Sequence, residues 1–131
     1  METDEMNFRI LKNAASSLKS SGKFIFTCLN ALFPLFHSVK EFMGKNSNTA
    51  YSGSFDMMAF REYSTYEVSD DEGKPLKLKC NERYYAPSEI KFMLELLDFK
   101  KIEIFGCDTG VFDRSRQVSV NDYELLVVAE K

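Results

Sequence analysis

The residues able to do chemistry are few and scattered. His37 is the single histidine among 131 residues, and imidazole titrates near working pH, which suits it to general-base work. No partner carboxylate can be picked out for it, so a partly buried structural histidine is the competing reading. Arg83, Tyr84 and Tyr85 stand together just ahead of Pro87. A guanidinium there could grip an acidic group bidentately while the two phenols wall a pocket. Alternatively the tyrosines pack a hairpin onto a sheet and Arg83 is solvated. Asp70, Asp71 and Glu72 lack the spacing of a calcium loop and read as a solvated turn. Cys28, Cys80 and Cys107 are odd in number, far apart, and form no CxxC or CxxH pair. Buried or incidental thiols in a reducing compartment fit them better than disulfides or a metal.

Bulk composition narrows the classes further. A length of 131 residues suits one domain, residues 1–131, that buries roughly two-thirds of its unfolded surface. Apolar residues make up 44% and phenylalanine alone contributes 12, so a packed core is available. A net charge of −3 without any Lys/Arg cluster argues against nucleic acid. There is no apolar run long enough to span a bilayer, and the acidic first six residues do not read as a signal peptide. A cytoplasmic globular protein is expected.

The elements that must position these groups are read from periodicity. Thr3 can cap a helix with Asp4 and Glu5 in its first turn, and Leu11, Ala14, Ala15 and Leu18 follow at i, i+3, i+4 and i+7. It should stop near residues 20–22, with Gly22 in the left-handed conformation. Residues 23–29 form a strand apolar on both faces, as expected inside a sheet covered by helices. In 30–45, Pro34 interrupts any long helix, and Leu35, Val39 and Phe42 line a short one. Residues 46–54 read as a loop. Residues 55–66 have no clean period, and their Met57–Met58 pair suits core or lid. Strands at 63–68 and 76–80 flank a turn and make a β-hairpin. Pro87 then opens a helix with Ile90, Met93, Leu94 and Leu97 on its buried face. After Asp98 the period changes, and Ile102 and Ile104 mark a strand. A loop over 107–121 leads to a last strand, 122–131, again apolar on both faces.

The order of these pieces carries a resemblance. A helix leads into Leu-Lys-Ser-Ser-Gly-Lys-Phe-Ile-Phe-Thr at 18–27, and an insertion follows. Arg-Tyr-Tyr-Ala-Pro-Ser-Glu-Ile at 83–90, Leu-Asp-Phe at 97–99 and Glu-Leu-Leu-Val-Val-Ala-Glu-Lys at 124–131 complete it. Together they resemble the C-terminal half of a class I S-adenosylmethionine-dependent methyltransferase. Departures exist: Ser20-Ser21-Gly22 replaces the usual Pro-Gly, Ala86 stands at a capping position, and Asp98 replaces a glycine. The resemblance implies an α/β, partial Rossmann-like methyltransferase fold: a small mixed sheet, flanking helices and an inserted β-hairpin. It implies residues 30–82 as a variable acceptor-side insertion, and Asn30, just beyond the family's fifth strand, as an acceptor contact. Against that stands the reading of Asn30 as a simple strand-ending turn residue. His37, Arg83, Tyr84 and Tyr85 are the other candidate substrate contacts. The resemblance also implies S-adenosylmethionine as cofactor.

The Gly-rich turn that admits such a cofactor is not found, since Ser52-Gly53-Ser54 follows no defensible strand. The chain therefore reads as starting at the family's fourth helix, probing only the acceptor side, and as inactive and without bound cofactor on its own. If strand 23–29 pairs with the last strand, it becomes a long apolar sheet edge. A second copy (a homodimer) or a complementing N-terminal half should cover it. The alternative to an acceptor-side methyltransferase half is a non-catalytic, dimerising interaction or ligand-binding module derived from the same fold.

Overall fold

A computed structural model describes residues 3–38, 51–108 and 110–131. Helix α1 (Asp4–Ser17) begins where the Thr3 hydroxyl accepts the Met6 N–H at 3.2 Å, with Asp4 and Glu5 at the positive end of the dipole. Leu11 and Ala15 are its buried residues. The expected left-handed residue is displaced by one: Ser21 has φ 61°, and Gly22 does not lie in that region. Gly22 is needed for space instead, because a Cβ there would lie 2.8 Å from the Lys19 carbonyl oxygen. The chain's last residue closes this turn, with Ser21 N–H to Lys131 O at 2.9 Å and Lys131 N–H to Gly22 O at 3.1 Å.

Among the described residues, six strands form one mixed sheet in the order β2-β3-β4-β1-β6-β5. β1 (Lys23–Asn30) runs antiparallel to β6 (Glu124–Glu130) along its length, and β6 pairs antiparallel with β5 (Lys101–Cys107). β2 (Tyr51–Asp56), β3 (Arg61–Ser69) and β4 (Pro75–Tyr85) make an antiparallel meander. The expected hairpin is thus present, longer at both ends and extended by a strand. Residues 51–54, read as loop, belong to that strand because they pair with Ser64, Thr65 and their neighbours in β3; residues 46–50 lie outside the described part. β4 joins β1 in parallel through only two pairs, Leu29 with Tyr84 and Asn30 with Tyr85.

Between them, α2 is a single turn, Phe33–Phe36, that takes Pro34 into its start instead of being broken by it. Leu35 on that turn is 49% exposed, so it lines no buried face; Val39 and Phe42 lie outside the described residues. Helix α3 (Pro87–Leu96) buries Ile90 and Leu94 as the spacing requires. Its uncapped start at Ala86 is recovered by Glu89, whose Oε2 accepts the Ala86 N–H at 3.2 Å. Asp98, at φ 64°, makes the left-handed turn into β5.

Both long helices cover the same face. Ala15 of α1 and Ile90 and Leu94 of α3 pack on Phe24, Phe26, Leu125, Val127 and Ala129. The opposite face carries Ile25, Thr27, Leu126 and Val128. Among the described residues neither long helix packs there, against the expectation of helices on both sides, although Leu126 and Val128 are buried. Ile25 is 61% exposed, and with Phe112 and Arg114 these residues line an open hollow of about 510 Å³. The expectation of a sheet edge is corrected in part. β4 covers the last two residues of β1, while residues 23–28 have no strand neighbour on that side among the described residues.

Candidate functional site

The site is built where β1 ends. Asn30 is fully buried. Its amide donates to Ser119 O at 3.1 Å and Asp122 O at 2.8 Å, and its Oδ1 accepts the Leu32 N–H at 3.1 Å. All of its side-chain bonding goes to backbone, as a strand-ending turn requires. That turn presents Phe33 to a second core formed with Ala31, Tyr84 and Tyr123, against which Leu29, Phe55 and Phe60 pack. The rings meet edge to face: Phe33 with Tyr123 at 5.2 Å, Phe55 with Tyr84 at 5.4 Å, and Tyr84 with Tyr123 at 6.1 Å.

A carboxyl group lies inside this aromatic cluster. Glu62 of β3 is 2% exposed, and its Oε2 accepts the Tyr84 hydroxyl at 2.9 Å. The Tyr84 and Tyr123 hydroxyls are 3.1 Å apart. Oε1 of Glu62 is buried without a hydrogen-bond partner. Burial raises the Glu62 pKa, the Tyr84 bond pulls it back, and the Glu82 charge on the facing residue of β4 raises it again. Burial also raises Glu82, Tyr84 and Tyr123. Sequence reasoning missed Glu62 because Arg61 and Glu62 are adjacent charges on a strand, a pattern that ordinarily faces water. The available signal was the alternation of Phe55, Glu62 and Tyr84, which register places on neighbouring strands.

Strand alternation sends Arg83 and Tyr85 to the other face, towards α1 and α3. Arg83 is not solvated: its side chain is 10% exposed and pairs with Asp4 at 3.2 Å and Glu89 at 2.5 Å. Its guanidinium lies 4.7 Å from the Tyr85 ring centre, and the Tyr85 hydroxyl accepts from Asn7 at 2.6 Å. Arg61 joins Asp4 at 2.5 Å and Asn81 at 2.6 Å. His37 is exposed, stacks on Phe33 at 4.6 Å and contacts Asn121 Oδ1 at 3.0 Å. The structure therefore brings Asn30, His37 and Tyr84 to one cluster and puts Arg83 and Tyr85 in another.

Where β1 and β4 diverge, a cleft of about 290 Å³ opens between Cys28, Leu29, Glu82 and Arg83. The Cys28 thiol is pushed up to about 12, by burial first and then by Glu124 and Glu89, so it stays protonated and is no nucleophile. Asp70 closes the β3–β4 turn by accepting the Glu72 and Lys74 N–H groups at 3.0 and 2.8 Å, as a solvated turn should. Among the described residues no group of His, Cys, Asp and Glu is arranged to hold a metal, and no helix is long and apolar enough to cross a membrane.

Known structures share this architecture. The chain superposes on the CcbJ methyltransferase from Streptomyces caelestis with a TM-score of 0.65 at 14% identity, covering 95% of this chain and 52% of that one. It superposes on an S-adenosylmethionine-dependent methyltransferase from Clostridium acetobutylicum with a TM-score of 0.66 at 16% identity, covering 98% of this chain and 52% of that one. No family model and no curated protein matches the sequence. The chain is therefore a mixed α/β fold of partial, Rossmann-like methyltransferase architecture, and it spans about half the length of the structures it matches.

Among the described residues, the joints between strand and helix do not fit S-adenosylmethionine on the ground plan of a doubly wound site. Such a site needs a strand entering a helix through glycines. Here α3 is entered from β4 through Ala86, and α2 follows β1 through Ala31 and Leu32. Neither joint contains a glycine.

Proposed function

We propose that the chain is the acceptor-side, C-terminal half of an S-adenosylmethionine-dependent methyltransferase, with residues 30–82 its variable acceptor segment. The carrying observation is the near-complete coverage of this chain by two methyltransferases of which it spans only 52%. The cofactor would be held by a complementing N-terminal half. Methyl transfer is an in-line displacement governed by positioning and exclusion of water, so the acceptor side needs shape and anchoring groups more than a nucleophile. The cluster around Tyr84, with Asn30 holding the turn and His37 on its rim, is our choice for acceptor contacts. Arg83 and Tyr85 fix the meander to the helices that support it.

The open side of residues 23–28 and the hollow beside Ile25 favour a partner chain, either the complementing half or a second copy. The second reading, a non-catalytic dimerising module of a cytoplasmic protein, rests on that same surface. The codons upstream of Met1 separate the two: an in-frame strand–glycine turn–helix is expected for the methyltransferase half. Its absence would favour the dimerising module.

A further inference from the structure

We propose that Glu62, with Glu82 beside it and the rings of Tyr84, Tyr123 and Phe55 around it, is a binding site for a cationic amine. Three observations point the same way. First, Glu62 Oε1 is buried with no partner while Oε2 is held by Tyr84, so the carboxyl is fixed in direction and has one acceptor oxygen unused. An ammonium N–H supplies the missing charge-assisted bond. Second, the charge around it has one sign. Glu82 is the facing residue of β4 and its charge acts on Glu62, while Arg61 and Arg83 are engaged with Asp4, Asn81 and Glu89 on the opposite face of the strands. Third, aromatic rings crowd the carboxyl: Tyr84 bonds it, and Phe55 and Tyr123 meet Tyr84 edge to face. Thus π-systems, which attract cations most strongly where water is excluded, lie beside it. A neutral guest gains little from two adjacent carboxyls, and an anion is repelled.

Phe55 and Phe60, beside this cluster, are only half-buried and meet edge to face at 6.1 Å. Phe60 has φ 47°, a left-handed conformation that a bulky residue adopts only under strain. Backbone strain of this kind is found at ligand clamps and switch regions. The methyltransferase reading enters only in naming the amine as the methyl acceptor; the binding itself needs no cofactor.

The test is a titration of the 131-residue chain, labelled with ¹³C in its tyrosine rings, at neutral pH. The probes are tetramethylammonium and butylammonium chloride, against sodium butyrate and butanol as size-matched anionic and neutral controls. Saturable shifts of the Tyr84 and Tyr123 rings with the two cations alone are expected, weakened about tenfold in Glu62→Gln, which is isosteric and removes only the charge. If Glu62→Gln does not fold, Glu82→Gln serves, with a weakening of about threefold expected. Equal shifts with butanol or butyrate, or cation binding unchanged in whichever of these variants folds, would overturn the proposal. Cation binding with no methyl transfer to the bound amine once a complementing cofactor half is supplied would uphold the amine site and sink the methyltransferase reading instead.

Discussion

Arg83 Nε donates to Asp4 Oδ1 at 3.2 Å, tying the end of the inserted meander to the first turn of α1. The same carboxylate oxygen takes Arg61 at 2.5 Å, so one acidic residue at a helix start holds two neighbouring arginines. Because Arg83 is nearly buried and Asp4 largely exposed, the pair is worth less than a fully buried one. Arg83→Met should lower unfolding free energy by about 2 kcal/mol in urea melts, and Arg83→Lys should recover less than half of it. A loss below about 0.5 kcal/mol would return Arg83 to the solvated or ligand-binding role open to it from sequence.

Glu62, Glu82 and Glu124 all have native pKa values raised by burial. Between the ordinary value near 4.5 and their raised native values, the folded chain holds more protons than the unfolded one. Stability from these groups is therefore full at the acidic end of that window and is lost as pH rises through it. Asp113, lowered by bonds from Ser115, acts in the opposite sense and only below its ordinary value of 3.8. Urea melts from pH 4.5 to neutrality should show stability falling with pH, and Glu62→Gln should flatten the slope. A slope unchanged in the variant would show that Glu62 does not titrate in this window.

Much of the fold was legible because its periods are clean. Ile90 and Leu94 lie buried on α3 as spaced, Asp98 takes the left-handed turn, and β5 and β6 pair as the order of elements implied. What failed did so for physical reasons. Ile25 read as interior on the pattern of an apolar strand but is exposed, because a pattern records what a face wants to touch, not whether the described residues supply it. Pro34 read as a breaker although the first turn of a helix tolerates it. Of the site, Tyr84 and Asn30 were within reach, since they flank a strand end. Glu62 was not, because its burial comes from β2 and the Phe33 turn, two elements whose periods are irregular.

Gly106 and Asp122 make a close pair whose tolerance can be measured. A Cβ at Gly106 would overlap the Asp122 carboxylate, which is fully buried, accepts the Ser119 N–H at 2.6 Å and pairs with Arg116 at 2.6 Å. Gly106→Ala should destabilise by about 3 kcal/mol in urea melts, since neither carboxylate nor strand can move without breaking those bonds. Asp122→Ala in the same background should not add its full cost, because the clash and the network are one unit. Strict additivity of the two would contradict that coupling.

The uncovered side of β1 should show itself in solution. Sedimentation velocity at tens of micromolar is expected to find self-association of the isolated chain, weakened about tenfold by Ile25→Glu on the exposed apolar face. A monodisperse monomer would mean that neither the hollow nor the strand edge recruits a second chain.

Calorimetric titration of the isolated 131-residue chain with S-adenosylmethionine bears most directly on its being an acceptor-side half. No saturable heat is expected up to roughly millimolar cofactor, because among the described residues no strand enters a helix through the glycine turn that such a ligand needs. One-to-one binding in the micromolar range would contradict this and place a cofactor site within these residues.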